Sequence, residues 1–428
     1  VKANLTVREY ARLTTSHVPT PDLDKAQVSA SAFDWLCEMN SRFSKAGAAL
    51  VQVEDRRWLK LDNYVGVLET PCGTRIEILP KHFEEGDCIK QSRALLRRMI
   101  QKSLKLPTRE VGETALQRFD TPLTEWVMGS FLQALDHLLK RGLRFDYQRV
   151  EEEQRYLRGQ LNTARQMRQP PGRQHFFQIS HDIFLPDRAE NRLLKTALDI
   201  VCKTTQDPSN WRLSHELRSI LLEIPTSRDT AHDFKHWRND RLMAHYQPVK
   251  PWCELIIRQQ TPLAIAGEWQ GMSLLFPMEK LFEHYVGACL RDLLPSDASL
   301  HVECKTEYLC SHGDRSVFQL RPDLMIVQGE ERWILDTKWK RLNTEGGSKN
   351  YGLSQSDFYQ LFAYGHKYLN GQGDLALIYP RRASFQHALP VFQYSGSLRL
   401  WVVPFDLELG VFCTGAWEDS FPAMLIGS

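Results

Sequence analysis

Hydrophobic and polar positions change rhythm along the chain. Up to about residue 85 the apolar runs are short and punctuated: Leu50–Val53 and Trp58–Leu61 flank the polar Glu54–Arg57, and Val65–Leu68 and Arg75–Leu79 flank Pro71-Cys72-Gly73. Such runs predict strands of a small meander. From about 90 to 255 the period becomes helical: Leu95, Leu96, Met99, Ile100 and Leu104, then Trp126, Phe131, Leu135 and Leu138–Leu139, then Leu193, Leu194, Ala197 and Ile200 within Asn191–Val201. Gln169-Pro170-Pro171-Gly172 breaks that run. A third region starts near Gly271. Its Leu281–Leu294 segment has two apolar rows, Leu281, Tyr285, Cys289 and Leu293 beside Phe282, Val286, Leu290 and Leu294, and Pro295 ends it. Strand-like runs follow, then a helix around Asp357–Tyr368, then apolar runs at Leu375–Tyr379 and Leu398–Phe405.

This order predicts a multidomain α+β chain: a β-rich N-terminal domain over 1–88, a mainly helical middle region over 89–268, and a C-terminal α/β domain over 269–428 on a mixed sheet. A length of 428 residues suits two or three domains. No apolar run is long enough for a bilayer, and the N-terminus lacks an apolar signal core, so a cytoplasmic protein is expected. The nine cysteines contain no C-x-x-C pair, which favours reduced thiols over a zinc ribbon or disulfide framework. His301, Cys304, Cys310 and His312 match no standard zinc spacing. A net charge of +2 does not announce a nucleic-acid binder. Two basic stretches, Gln91–Arg109 and Arg155–Arg173, are phosphate contacts or equally well solvated helix faces.

The chemistry concentrates in Arg321–Lys338. Arg321-Pro322-Asp323 leads into Leu324–Val327; Gln328-Gly329-Glu330-Glu331 is a polar turn; Arg332–Leu335 leads into Asp336-Thr337-Lys338. This reads as a hairpin. With Val327 facing Arg332, counting back sets Asp323 opposite Asp336, and Lys338 lies two residues on, along the same face. Facing carboxylates repel unless a cation joins them. Oxygen ligands favour Mg²⁺, with Mn²⁺ as an alternative. A neighbouring ammonium adds stabilisation of negative charge in a transition state. The set suits phosphodiester hydrolysis. A D-x-K alone is a weak signal and equally fits a surface salt bridge; P-D before one strand and D-x-K ending the next is more specific.

Two flanking features extend the motif, which resembles that of PD-(D/E)xK nucleases. Glu283 lies off the apolar rows of the preceding helix, where such nucleases often place a further metal ligand; Glu279 is its rival. Gln360 and Tyr364 share one helix face at i, i+4, similar to the Q-x-x-x-Y helix of the RecB-like branch. Asp323, Asp336, Lys338, Glu283, Gln360 and Tyr364 are the expected catalytic set, with Asp323, Asp336 and Glu283 as metal ligands.

More broadly, the chain resembles the McrC family, the nuclease subunit of McrBC-type modification-dependent restriction systems. The resemblance runs through Val65-Gly66-Val67-Leu68 and Arg75–Lys81, the Phe276–Glu283 segment, Arg321-Pro322-Asp323, Asp336-Thr337-Lys338 and Asp357–Tyr364; residues 110–255 are only loosely similar. It implies a McrB-like AAA+ GTPase ring as partner, double-stranded DNA as substrate, and an N-terminal part that enters the ring and stimulates GTP hydrolysis. Arg75 and Lys81 are the candidate partner contacts. The chain lacks a P-loop, so no nucleotide cofactor is expected on it. Two alternatives stand beside this expectation: a non-cleaving activator or scaffold of an AAA+ NTPase, and a stand-alone nuclease of repair or mobile elements.

Overall fold

In the computed structural model, residues 4–44, 50–55, 57–82, 89–107, 121–173, 175–258, 273–342, 349–394 and 396–413 are described. The expected boundaries near 88 and 268, the region start at Gly271, and Arg109 lie outside them. The chain divides into two compact units, Val1–Leu123 with Gln260–Ser428, and Thr124–Gln259.

The first unit contains two four-stranded N-terminal sheets where the sequence pattern suggests one meander. Val51–Asp55 and Trp58–Leu61 pair in one sheet, with Arg12–Thr14 and Lys25–Gln27. Tyr64–Glu69 and Arg75–Leu79 form a hairpin in the other, between Asn4–Arg8 and Leu274–Pro277. Alternation identifies a strand but not its partner, and Leu274–Pro277 arrives from across the whole second unit. Gly66 permits that pairing: its φ is +130°, and a Cβ there would lie 1.8 Å from the Leu274 carbonyl oxygen. The helix Ile89–Ser103, read from sequence as the start of the middle region, falls in this unit and packs on the strand Arg75–Leu79 and the helix Met278–Leu293.

The C-terminal part is a seven-stranded mixed sheet. Its main order is Ala298–Val302, Leu324–Gln328, Glu331–Thr337, Gln372–Pro380, Ser397–Asp406 and Phe392–Gln393, with Val411–Phe412 also paired to Ser397–Asp406. Glu331–Thr337, Gln372–Pro380 and Ser397–Asp406 run parallel, so loops leave their carboxyl ends on one edge. The helix Gln355–Tyr368 covers one face, burying Leu361, Tyr364 and Tyr368 among Ile334, Leu375, Leu377, Leu398, Leu400 and Val402. Met278–Leu293 lies on the opposite side, where the Gly287 position meets Leu324 and the Tyr285 ring meets Phe405. Both faces are covered, so the central strands read as continuous apolar runs.

The second unit is helical, as the periodicity predicts, but it also holds a three-stranded antiparallel sheet of Asp146–Gln154, Gln160–Leu161 and Phe177–Leu185. The Tyr246 hydroxyl is buried there; it donates to Asn191 at 2.8 Å and accepts from the Arg144 N–H at 2.9 Å.

Candidate active site

The hairpin forms in the predicted register. Val327 pairs with Arg332, and the ladder extends to Gln328–Glu331, so the turn tightens to Gly329-Glu330. Gly329 has φ +59°, the left-handed conformation that such turns favour. At the other end Leu324 pairs with Leu335, which puts the next positions, Asp323 and Asp336, opposite one another. Asp323 is held by Thr337, whose backbone N–H and hydroxyl both donate to Oδ2 at 2.8 Å. Its backbone carbonyl accepts from the Glu303 N–H at 2.9 Å.

Asp336 is 1 % exposed and lies on the central strand. Burial, then the charge of Asp323, raises its carboxyl above the ordinary aspartate value. Lys338 opposes that rise, its Nζ 2.6 Å from Asp336 Oδ2. For Lys338, burial favours the neutral amine, but the Asp336 charge outweighs it and the net shift is upward. Gln360 Oε1 accepts from Lys338 Nζ at 3.4 Å, Gln360 Nε2 donates to the Tyr364 hydroxyl at 2.7 Å, and that hydroxyl donates to the Arg321 carbonyl at 3.0 Å. The Q-x-x-x-Y helix thus joins the lysine to the backbone ahead of Asp323.

Glu283 comes from the covering helix and is 3 % exposed. Burial and the Asp323 charge push it up to about 7, against the pull of Lys280, whose Nζ is 2.6 Å from Oε2. Oε1 is buried and has no hydrogen-bond partner among the described residues. Three carboxyls, Asp323, Asp336 and Glu283, thus share the two ammonium groups of Lys280 and Lys338, and Glu283 Oε1 keeps an unused acceptor among the described residues. An all-oxygen donor set of this kind fits Mg²⁺ or Mn²⁺.

All six residues expected from sequence are therefore brought together at the head of the sheet. Sequence reasoning passed over several neighbours: Thr337, which orients Asp323; Lys280, a turn before Glu283; and Asp357, which is buried and takes the Lys340 ammonium at 3.4 Å. Carboxylate oxygens of Glu283 and Glu303 and a ring nitrogen of His284 lie within 4.8 Å of one another. Lys280 already bridges that group, 3.5 Å from Glu303. The i, i+3 spacing of Lys280 and Glu283 was visible in sequence; the turn that brings Glu303 to Asp323 was not.

The candidate partner contacts are engaged within the chain. Arg75 is buried and pairs with Glu69 at 3.2 Å; the Lys81 ammonium pairs with Asp24 at 3.0 Å. Part of the basic charge in the two stretches is engaged likewise. Arg93 pairs with Glu77 at 2.6 Å, Lys102 with Asp292 at 2.8 Å and Arg165 with Glu151 at 2.8 Å.

Residues 59–380 match the family described as McrBC 5-methylcytosine restriction system component. The chain belongs to this family. The McrBC fold extends over nearly its whole length: a chain of the Thermococcus gammatolerans assembly of McrB AAA+ hexamers with bound McrC superposes with a TM-score of 0.69 at 19 % identity, covering 94 % of this chain and 95 % of that one. A chain of the cryo-EM structure of the Thermococcus gammatolerans McrBC complex gives 0.53 at 20 % identity, covering 68 % and 88 %. No curated protein matches the chain.

Proposed function

We propose that this McrBC family member is the DNA endonuclease subunit of a restriction complex, working with a McrB-like AAA+ GTPase ring. The observation that carries the nuclease reading is the convergence of Asp323, Asp336, Glu283 and Lys338, three carboxyls and one ammonium from three elements. Asp323, Asp336 and Glu283 would hold Mg²⁺. The bound ion would supply Lewis acidity toward a phosphoryl oxygen and lower the pKa of a water. Lys338, 2.6 Å from Asp336, sets positive charge where the phosphorane-like transition state gathers negative charge. Gln360 and Tyr364 keep that ammonium in place. Thr337 fixes the orientation of Asp323, so little reorganisation is needed when substrate arrives.

The relative whose assembly contains McrB hexamers with bound McrC supports a ring-shaped partner. The Tyr64–Leu79 hairpin, with its exposed tip at Pro71-Cys72, is the element we assign to that contact. Lys81, with 26 % of its side chain exposed against 10 % for Arg75, is the more accessible of the two basic candidates.

The test is DNA cleavage by the chain with its P-loop partner, nucleotide and Mg²⁺. Cleavage that depends on Mg²⁺ and is lost in Asp336→Asn supports the reading; cleavage that survives this substitution defeats it.

A further inference from the structure

Glu9 takes no part in the chemistry above, yet it is built into the site. It follows the strand Asn4–Arg8 and is 1 % exposed. Its Oε1 accepts from the Lys81 backbone N–H at 2.7 Å, and the Trp339 indole N–H lies 2.9 Å from Oε1 and 3.1 Å from Oε2. A carboxylate this buried is costly unless its oxygens are satisfied, and here the donors come from two distant segments. Trp339 is the residue after Lys338. Its ring packs 5.3 Å from Phe282, the residue before Glu283, and the Arg382 guanidinium lies 5.8 Å over it. Arg382 in turn donates to the Lys81 and His82 carbonyls. The indole is thus carried by the residue after Lys338 and packs on the residue before Glu283, so it links two site residues on different elements, and Glu9 hydrogen-bonds that indole.

We propose that Glu9 is a positioning residue of the nuclease site, acting through Trp339 to hold Lys338 at Asp336 and Glu283 beside Asp323. The inference rests on the nuclease reading. Trp339 directly follows Lys338 just past the end of the strand Glu331–Thr337, where the Lys338 N–H still donates to the Ile378 carbonyl at 2.8 Å, so anchoring Trp339 fixes the backbone from which Lys338 reaches Asp336. The same carboxylate receives the Lys81 N–H, so the end of the Arg75–Leu79 strand and the end of the catalytic strand share one anchor.

The test uses the full chain with its NTPase partner and three variants: Glu9→Gln, Trp339→Phe and both together. Glu9→Gln keeps the size of the side chain but replaces one acceptor oxygen with a donor; Trp339→Phe removes only the indole donor and part of the ring. At saturating DNA and Mg²⁺ each single variant should lose about ten- to a hundredfold in kcat with KM for DNA unchanged, because misplacement acts on the reacting geometry. The double variant should fall no further than the worse single one. A second readout needs no cleavage. The rate at which acetic anhydride labels Lys338, followed by peptide mass spectrometry, should rise in both single variants as the ammonium leaves Asp336. A purely structural role would lower Tm while leaving the kcat of folded protein and the Lys338 labelling unchanged, and that result overturns the inference. So does an additive double variant. If Glu9→Gln does not fold, Trp339→Phe decides on the same two readouts. Cleavage that survives Asp336→Asn is a different result and defeats the nuclease reading instead.

Discussion

Thr337 holds Asp323 with two donors: its backbone N–H and its hydroxyl both reach the same carboxylate oxygen at 2.8 Å. The residue between the two motif positions, Asp336 and Lys338, is thus the one that orients the third. It ends the strand Glu331–Thr337, beside the aspartate that precedes the strand Leu324–Gln328, so the two strand ends are tied together at the site.

Removing the hydroxyl tests that orientation. Thr337→Val preserves shape and the backbone bond but deletes one hydrogen bond to a charged acceptor, worth about 1.5–3 kcal/mol. Mn²⁺ binding measured by calorimetry should weaken by about tenfold or more, and Thr337→Ser should restore most of it. Equal affinity in the Val variant would show that the backbone N–H alone suffices.

Metal-free stability should depend on pH through Glu283. Its folded value of about 7 lies above its ordinary 4.5, so the folded state keeps the proton to higher pH than the unfolded chain does. Between those values stability falls as pH rises, and the penalty is complete above about 7. Mg²⁺ should relieve it. Asp336, raised by burial as well, works in the same sense, so the shift in urea midpoint on adding Mg²⁺ should grow from pH 5 to pH 8, and Glu283→Gln should reduce the slope of the metal-free curve without abolishing it. Asp24 works the opposite way: its hydrogen bonds to Arg8 hold its carboxyl below the ordinary range, so its contribution is present at neutral pH and is lost only under acid conditions. The two effects occupy separate windows.

The motif hairpin was legible because one register satisfies both apolar runs and the polar turn, and that count alone sets Asp323 opposite Asp336. The covering helix was legible from its two apolar rows, and it spans Met278–Leu293 against the expected Leu281–Leu294. The strand Asp146–Gln154 was not, since none of its nine residues is buried and no buried apolar face leaves an alternation to read. Nor did the sequence reveal that Leu274–Pro277 joins the N-terminal sheet, or that Glu303 meets Asp323. Both are non-local pairings, on which periodicity within a segment carries no information. The family match agrees with the resemblance drawn from the motifs, while the roles of the site residues rest on geometry.

The Tyr364 hydroxyl links Gln360 to the Arg321 carbonyl, so Tyr364→Phe deletes two hydrogen bonds and leaves a carbonyl without its donor. Stability should drop by about 1–3 kcal/mol. Cleavage should fall less than in Lys338→Ala, because the ammonium keeps its bond to Asp336. Denaturant unfolding and single-turnover cleavage of the two variants check both halves.

Gly66 joins the two ends of the first unit. It sits in the strand Tyr64–Glu69 at φ +130°, and the strand it accommodates, Leu274–Pro277, runs directly into the helix that carries Glu283. A Cβ at Gly66 would meet the Leu274 carbonyl oxygen at 1.8 Å, a backbone atom that cannot rotate away. Gly142 is the control: its φ is +90°, but nothing lies within 4 Å of its Cβ position. Gly142→Ala should cost only the dihedral penalty, about 1–2 kcal/mol. Gly66→Ala adds a steric clash, and should cost upward of about 4 kcal/mol, the range reserved for severe core lesions. Circular dichroism melts of the two variants separate these contributions. If Gly66→Ala melts no lower than Gly142→Ala, the close approach of the two strands is not what the glycine is there to permit. If it melts far lower, metal binding at Glu283 should weaken with it, since the helix bearing that carboxylate begins where the strand ends.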